Sequence, residues 1–198
     1  MNVGSALAYR SVPLQSIYCG AKFAIRGFTD SLRSELYHDR VKVNLTMVDL
    51  PAVNTPQFDW SLNKMRFKAQ PVPPIFEPEV AARAIYFGAI HPRRQIWVGF
   101  PTVEAILANR LAPGLLDRYL GSAGYTGQLS EETLPADAPS NLFAPVKGNY
   151  GAHGRFDDRA RNESWEMFFG RHRTGMWILI AAGLALGAYR LAKRSEFR

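Results

Sequence analysis

The sequence predicts an α/β fold built on a parallel sheet, and three observations carry that reading. A long helical stretch over residues 16–39 repeats apolar residues at every fourth position. A β-branched, alternating run over residues 41–48 follows it directly. An extended stub at residues 1–4 precedes it, and the order strand, long helix, strand is that of a parallel crossover.

Each element has its local reason. The stub 1–4 gives way to a loop over residues 6–15, punctuated by Pro13. In the helix that follows, Ala24, Phe28, Leu32 and Leu36 form the expected buried stripe, with Tyr18 and Lys22 off its centre, toward a cleft. Residues 49–74 form a proline-rich loop with Phe58, Trp60, Met65 and Phe67, the composition of a lid or a binding loop. Those four side chains suit either the wall of an apolar pocket or the core of a lid. Glu77-Pro78-Glu79 opens a helix that runs to Ile90 and stops at His91-Pro92. Residues 95–99 read as a short strand, and residues 103–111 and 115–120 as short helices around Pro113-Gly114. Residues 121–162, rich in Gly, Pro, Ser and Asp, read as irregular, with the stretch 148–156 a turn that docks back on the domain.

Composition bounds the function. Of 198 residues, 47% are apolar, enough for a core, and the net charge is +7. Residues 155–198 carry nine Arg and Lys against five Asp and Glu, so the basic excess leans toward the tail. Basic and aromatic residues do not interleave as they do in a nucleic-acid module, so no nucleic-acid partner is expected. Cys19 is the only cysteine, which excludes an intrachain disulfide and fits a reducing, cytoplasmic setting. The best place for Cys19 is as a small buried filler. His38, His91, His153 and His172 show no metal-ligand spacing, and no metal is expected. Residues 174–189 are sixteen uncharged positions between basic flanks, just short of a bilayer span. They form a candidate membrane segment within a basic C-terminal helix, residues 163–198, and the alternative is a helix packed on the domain or on a partner.

The chemistry is concentrated near the N-terminus. Tyr18 and Lys22 stand four apart on one helical face, and Ser5 lies thirteen residues before Tyr18. An ammonium beside a phenol favours tyrosinate, so Lys22 is expected to lower the Tyr18 pKa and make it an acid–base group. Taken alone, the pair is commonplace on helices.

With Val3-Gly4-Ser5, Tyr18-Cys19-Gly20-Ala21-Lys22 and the stretch Phe28 to Leu36, the chain resembles the short-chain dehydrogenase/reductase family over roughly residues 1–100. The resemblance implies the C-terminal part of a Rossmann-like, doubly wound parallel sheet. It implies that Ser5, Tyr18 and Lys22 are catalytic and that NAD or NADP is the cofactor. Tyr18 would exchange a proton with the substrate oxygen, Ser5 would hold that oxygen, and Lys22 would also bind the nicotinamide ribose. The family's P-G-x-V-x-T loop reads Leu50-Pro51-Ala52-Val53-Asn54-Thr55, in which Val53 and Thr55 match and would meet the nicotinamide carboxamide. Pro51 stands where glycine is usual, so the backbone there must differ.

No strand with a glycine-rich, pyrophosphate-cradling turn precedes Val3. The expectation is therefore a partial catalytic domain over residues 1–120, an extension over 121–162 and the tail helix. The partner is a small carbonyl or alcohol substrate, and a homo-oligomer is in keeping with the family. The rival expectation is a catalytically incomplete remnant that binds a membrane or a protein partner.

Overall fold

The computed structural model describes residues 1–172 and Gly175. Its centre is a three-stranded parallel sheet, β1 (Asn2–Ser5), β2 (Met47–Leu50) and β5 (Gln95–Trp97), in the order β1-β2-β5. Asn2 is level with Met47 and Gln95, and Gly4 with Asp49 and Trp97. The expected parallel α/β architecture is what the chain adopts.

The pleat divides the sheet into two faces. Val48 and Ile96 point to the face covered by α3 (Pro78–Ile90) and α6 (Trp165–Arg171), where they pack with Phe76, Val80, Ala84, Val98 and Met167. Val48 and Val98 are wholly buried, each contributing about 1.5–3 kcal/mol over an exposed position. Met47, Asp49 and Gln95 point to the face covered by α1 (Ser16–His38), where Asn2 donates from Nδ2 to Thr29 Oγ1 at 2.7 Å. A smaller cluster of Ala8, Tyr9 and Ile106 joins α4 (Phe100–Leu111) to this side, with Trp97 against it. Helix α5 (Pro113–Ala123) follows directly, with Pro113 in its first turn.

Helix α1 closes by a Schellman motif. Val41 N–H donates to Leu36 O at 2.9 Å and Arg40 N–H to Tyr37 O at 3.3 Å. Arg40 takes the left-handed conformation, φ +56°, that glycine usually fills.

Four expectations change. The stripe Ala24, Phe28, Leu32, Leu36 is not the buried one: Phe28 is 62% exposed, and Leu32 and Leu36 are half-buried. The helix lies on the sheet through Cys19, Thr29 and Arg33 instead. Polar groups occupy that line because they have partners there. Arg33 donates to the carbonyls of Leu45 at 3.2 Å and Arg94 at 3.3 Å, and pairs with Asp30 at 2.7 Å. The strand expected at 41–48 begins only at Met47, because its neighbours begin at Asn2 and Gln95 and leave Val41 and Val43 exposed.

The loop 49–74 holds a short helix, α2 (Gln57–Trp60), and a strand, β3 (Phe67–Ala69), and is followed by β4 (Ile75–Phe76). Residues 121–162 are not irregular throughout. They carry β6 (Leu129–Thr133), antiparallel to β3, and β7 (Ala160–Arg161), parallel to β4. Both pairings are long-range, so local composition did not signal them. No helix among the described residues is long and apolar enough to cross a membrane. The candidate segment 174–189 lies outside the described residues apart from position 175.

Candidate active site

The carboxyl ends of β1 and β2 position the site. Ser5 is the last residue of β1, level with Leu50, and is 7% exposed. Its Oγ accepts from Leu7 N–H at 3.1 Å, capping the 3-10 turn Ala6–Ala8. Tyr18 sits in the first turn of α1, which returns along the same end of the sheet. The Ser5 hydroxyl lies near enough to the Tyr18 phenol to lower its pKa. Lys22, one turn on, has its Nζ 5.6 Å from the centre of the Tyr18 ring and donates to Val3 O at 3.2 Å. The three residues singled out from sequence therefore gather at one edge.

Their electrostatics differ from expectation in one respect. Burial pushes the Tyr18 phenol above its ordinary value, the Ser5 hydrogen bond offsets part of that, and Cys19 adds to it. Lys22 keeps its charge 5.6 Å from the ring centre, but the net direction is set by burial. Tyr18 is thus a protonated phenol at neutral pH, 39% exposed, able to release its proton to an oxygen held nearby.

Val53 and Thr55 leave the same sheet edge after β2. Val53 bridges to Phe76, Thr55 N–H donates to Val53 O at 3.0 Å, and both side chains are half-buried. Between them Asn54 is wholly buried and holds the later chain. Its Nδ2 donates to Asp157 Oδ1 at 2.6 Å, and its Oδ1 accepts from Phe156 N–H at 3.1 Å. The stretch 148–156 does dock back, and it docks here. Gly154 N–H donates to Asn54 O at 3.3 Å, and a Cβ on Gly154 would meet Asn54 Oδ1 at 2.7 Å. Phe58 meets Phe156 edge-on at 5.8 Å, and Trp60 meets Tyr150 at 4.4 Å. These two aromatics pack on the extension.

A buried polar network lies beside the site and was not legible from the sequence. Tyr9 OH donates to Asp49 Oδ2 at 2.9 Å, Gln95 Nε2 donates to Tyr9 OH at 2.8 Å, and the Arg26 guanidinium covers the Tyr9 ring at 4.0 Å. Burial raises Asp49 to about 6, with Tyr9 and Arg26 pulling the other way. Burial and the Asp49 carboxylate push Tyr9 up strongly. An Asp within a short strand, forty residues from its tyrosine, carries no local signal. A cavity of about 600 Å³ opens between the 6–15 loop and α5, with Tyr9, Arg10, Phe23, Asn109, Asp117 and Tyr125 in its walls. Ser5, Tyr18 and Lys22 are not among its wall residues, so the chemistry is placed by those side chains and not by this hollow.

The fold and this edge define an α/β domain with a phenol, a hydroxyl and an ammonium at the carboxyl end of a parallel sheet. Residues 1–64 match the family model described as short chain dehydrogenase. The chain is 31% identical over 168 residues to the uncharacterized oxidoreductase YxnA of Bacillus subtilis (strain 168), covering 83% of this chain and 45% of that protein. It is 42% identical over 55 residues to SadH of Mycobacterium tuberculosis, a protein with an oxidoreductase name, covering 28% of this chain and 20% of that protein. The chain spans less than half the length of these relatives.

Proposed function

We propose that this chain supplies the catalytic part of an NAD(P)-dependent oxidoreductase of the short-chain dehydrogenase type, which interconverts a carbonyl and an alcohol. The observation that carries it is the convergence of Ser5, Tyr18 and Lys22 at the carboxyl edge of the sheet. The family match over residues 1–64 and the oxidoreductase relatives support the same reading.

The residues suit the nicotinamide–ribose half of such a cofactor. Lys22 offers a half-buried ammonium beside a phenol, and Val53 and Thr55 offer a rigid loop tied to β4. The 6–15 connection has no glycine, so it is no pyrophosphate cradle. The cofactor, when bound, supplies or accepts the hydride at the reacting carbon. Tyr18 gives its proton to the substrate oxygen in reduction and takes it back in oxidation. Ser5 donates to the same oxygen and fixes its distance from Tyr18. The raised phenol pKa suits the reductive direction, since the acid is fully protonated at neutral pH.

A protein carrying this chain behind a dinucleotide-binding segment tests the reading, with NADH, NADPH and a panel of aldehydes and ketones. Substrate-dependent oxidation of one reduced cofactor is expected. Its absence with both cofactors removes the proposal. The competing reading, a remnant that binds a partner, has one observation in its favour. Among the described residues strand β1 lies at the edge of the sheet, and Val3 on it is 38% exposed.

A further inference from the structure

A second cluster of chemical groups lies behind the Val53–Thr55 loop and takes no part in the proposed reaction. His153 stands among three carboxylates. Its Nδ1 is 3.0 Å from Glu77 Oε2 and 3.1 Å from Asp157 Oδ1, and its Nε2 is 2.9 Å from Glu79 Oε1. One ring nitrogen carries one proton or one lone pair, so it cannot serve two carboxylate oxygens equally. The approach to Asp157 has hydrogen-bond geometry. Glu77 Oε2 is buried and has no hydrogen-bond partner among the described residues. Three carboxylates thus share one imidazole.

The neighbouring cations are engaged elsewhere. Arg155 pairs with Asp59, Arg83 donates to the Asn162 carbonyl, and Arg159 donates to Gln70.

We propose that Glu77, His153 and Asp157 bind a divalent cation of the zinc class through Glu77 Oε2, His153 Nδ1 and Asp157 Oδ1. These three atoms lie within 4.8 Å of one another. Tetrahedral bonds of about 2.0–2.2 Å place ligand atoms roughly 3.3–3.5 Å apart, close to the spacing of His153 Nδ1 from each carboxylate. An imidazole nitrogen with carboxylate oxygens suits zinc better than calcium or magnesium, which take oxygen alone. The supporting groups are those a metal site uses. Nε2 of His153 lies 2.9 Å from Glu79 Oε1, an outer partner that orients the ring. Asn54 Nδ2 holds the Asp157 carboxylate at 2.6 Å. The site opens to solvent, with the His153 side chain 43% exposed. Its role is to fasten residues 153–157 to the start of α3 and to the back of Asn54. The inference does not depend on the oxidoreductase reading.

Calorimetric titration of the metal-stripped 198-residue chain with zinc chloride, and separately with manganese chloride, tests it. One zinc per chain is expected, bound more tightly than manganese. His153→Gln and Asp157→Asn should each weaken zinc binding by about 100-fold or more, with the circular-dichroism spectrum retained. Glu79→Gln should weaken it by about 10-fold, the effect of losing an outer partner. Cys19→Ser should leave it unchanged. Asp157→Asn keeps an oxygen for Asn54 and carries the test if His153→Gln does not fold. Absence of saturable zinc binding overturns the proposal. So does equal affinity in wild type and Asp157→Asn.

Discussion

Tyr9 OH donates to Asp49 Oδ2 at 2.9 Å, while the other oxygen of that carboxylate has no hydrogen-bond partner among the described residues and lies over Gly4. A half-satisfied buried acid of this kind shapes the behaviour of the whole sheet.

Asp49 titrates at about 6 in the fold against 3.8 for a free side chain. Between about pH 4 and pH 6 the native protein keeps a proton that the unfolded chain has lost. Stability from this group therefore falls as pH rises through that window, by roughly 3 kcal/mol, and is level above it. Glu79 and Glu132, held down by His153 and Lys68, act in the opposite sense. The measurement is urea unfolding of wild type and Asp49→Asn at pH 4, 5, 6 and 7.5. The difference between them should shift toward the variant as pH rises, and a difference that does not change with pH contradicts the assignment.

Gly4 makes the room that Asp49 occupies. A Cβ at this position would collide with Asp49 Oδ1 and come within 2.6 Å of Met47 Cε. Gly4→Ala should destabilise the chain by about 1–3 kcal/mol. In combination with Asp49→Ala the added cost should shrink, because the two changes share one contact. Chemical denaturation of the four proteins of this cycle measures the coupling, and strict additivity refutes the shared contact.

Asn54 holds the extension with side-chain bonds in both directions. Asn54→Ala leaves the Phe156 amide and the Asp157 carboxylate without their buried partner, at a cost of about 2–4 kcal/mol. Limited proteolysis should then cut first within residues 148–162. Unchanged cleavage kinetics would show that the backbone bond from Gly154 is enough.

In a protein that shows the proposed activity, Tyr18→Phe removes the proton donor and keeps the ring over which Lys22 lies. Turnover should drop by at least 10²-fold, the lower range for a lost general acid, while cofactor affinity stays within a few-fold. Lys22→Met should do the reverse first, weakening cofactor binding. Stopped-flow fluorescence and steady-state rates separate the two, and a Tyr18→Phe enzyme of wild-type speed ends the role assigned here.

The parallel crossover was legible because α1 is long and proline-free, with an extended stub before it and a β-branched run after it. Ser5, Tyr18 and Lys22 were legible because their spacing in sequence is also their relation in space: one strand end and one helical turn. The buried face of α1 was not legible, since hydrophobicity marks Phe28 while Arg33 and Thr29 are buried by virtue of partners far along the chain. The direction of the Tyr18 shift was misread for the same reason, because the burial that raises it comes from the fold around the phenol. Asn54, Asp49 and His153 carried no local signal at all. Each acquires meaning from a residue 40 or more positions away.

The bond from Asn54 to Asp157 closes a circuit of 103 residues. During synthesis the ribosome must release the whole intervening chain before that circuit can close. The Val53–Thr55 loop therefore reaches its final shape late, after the sheet strands β1, β2 and β5 have already emerged. A nascent chain cut short before residue 154 would own the sheet and the phenol but not a settled loop beside them, and such truncations should separate folding of the scaffold from maturation of the site.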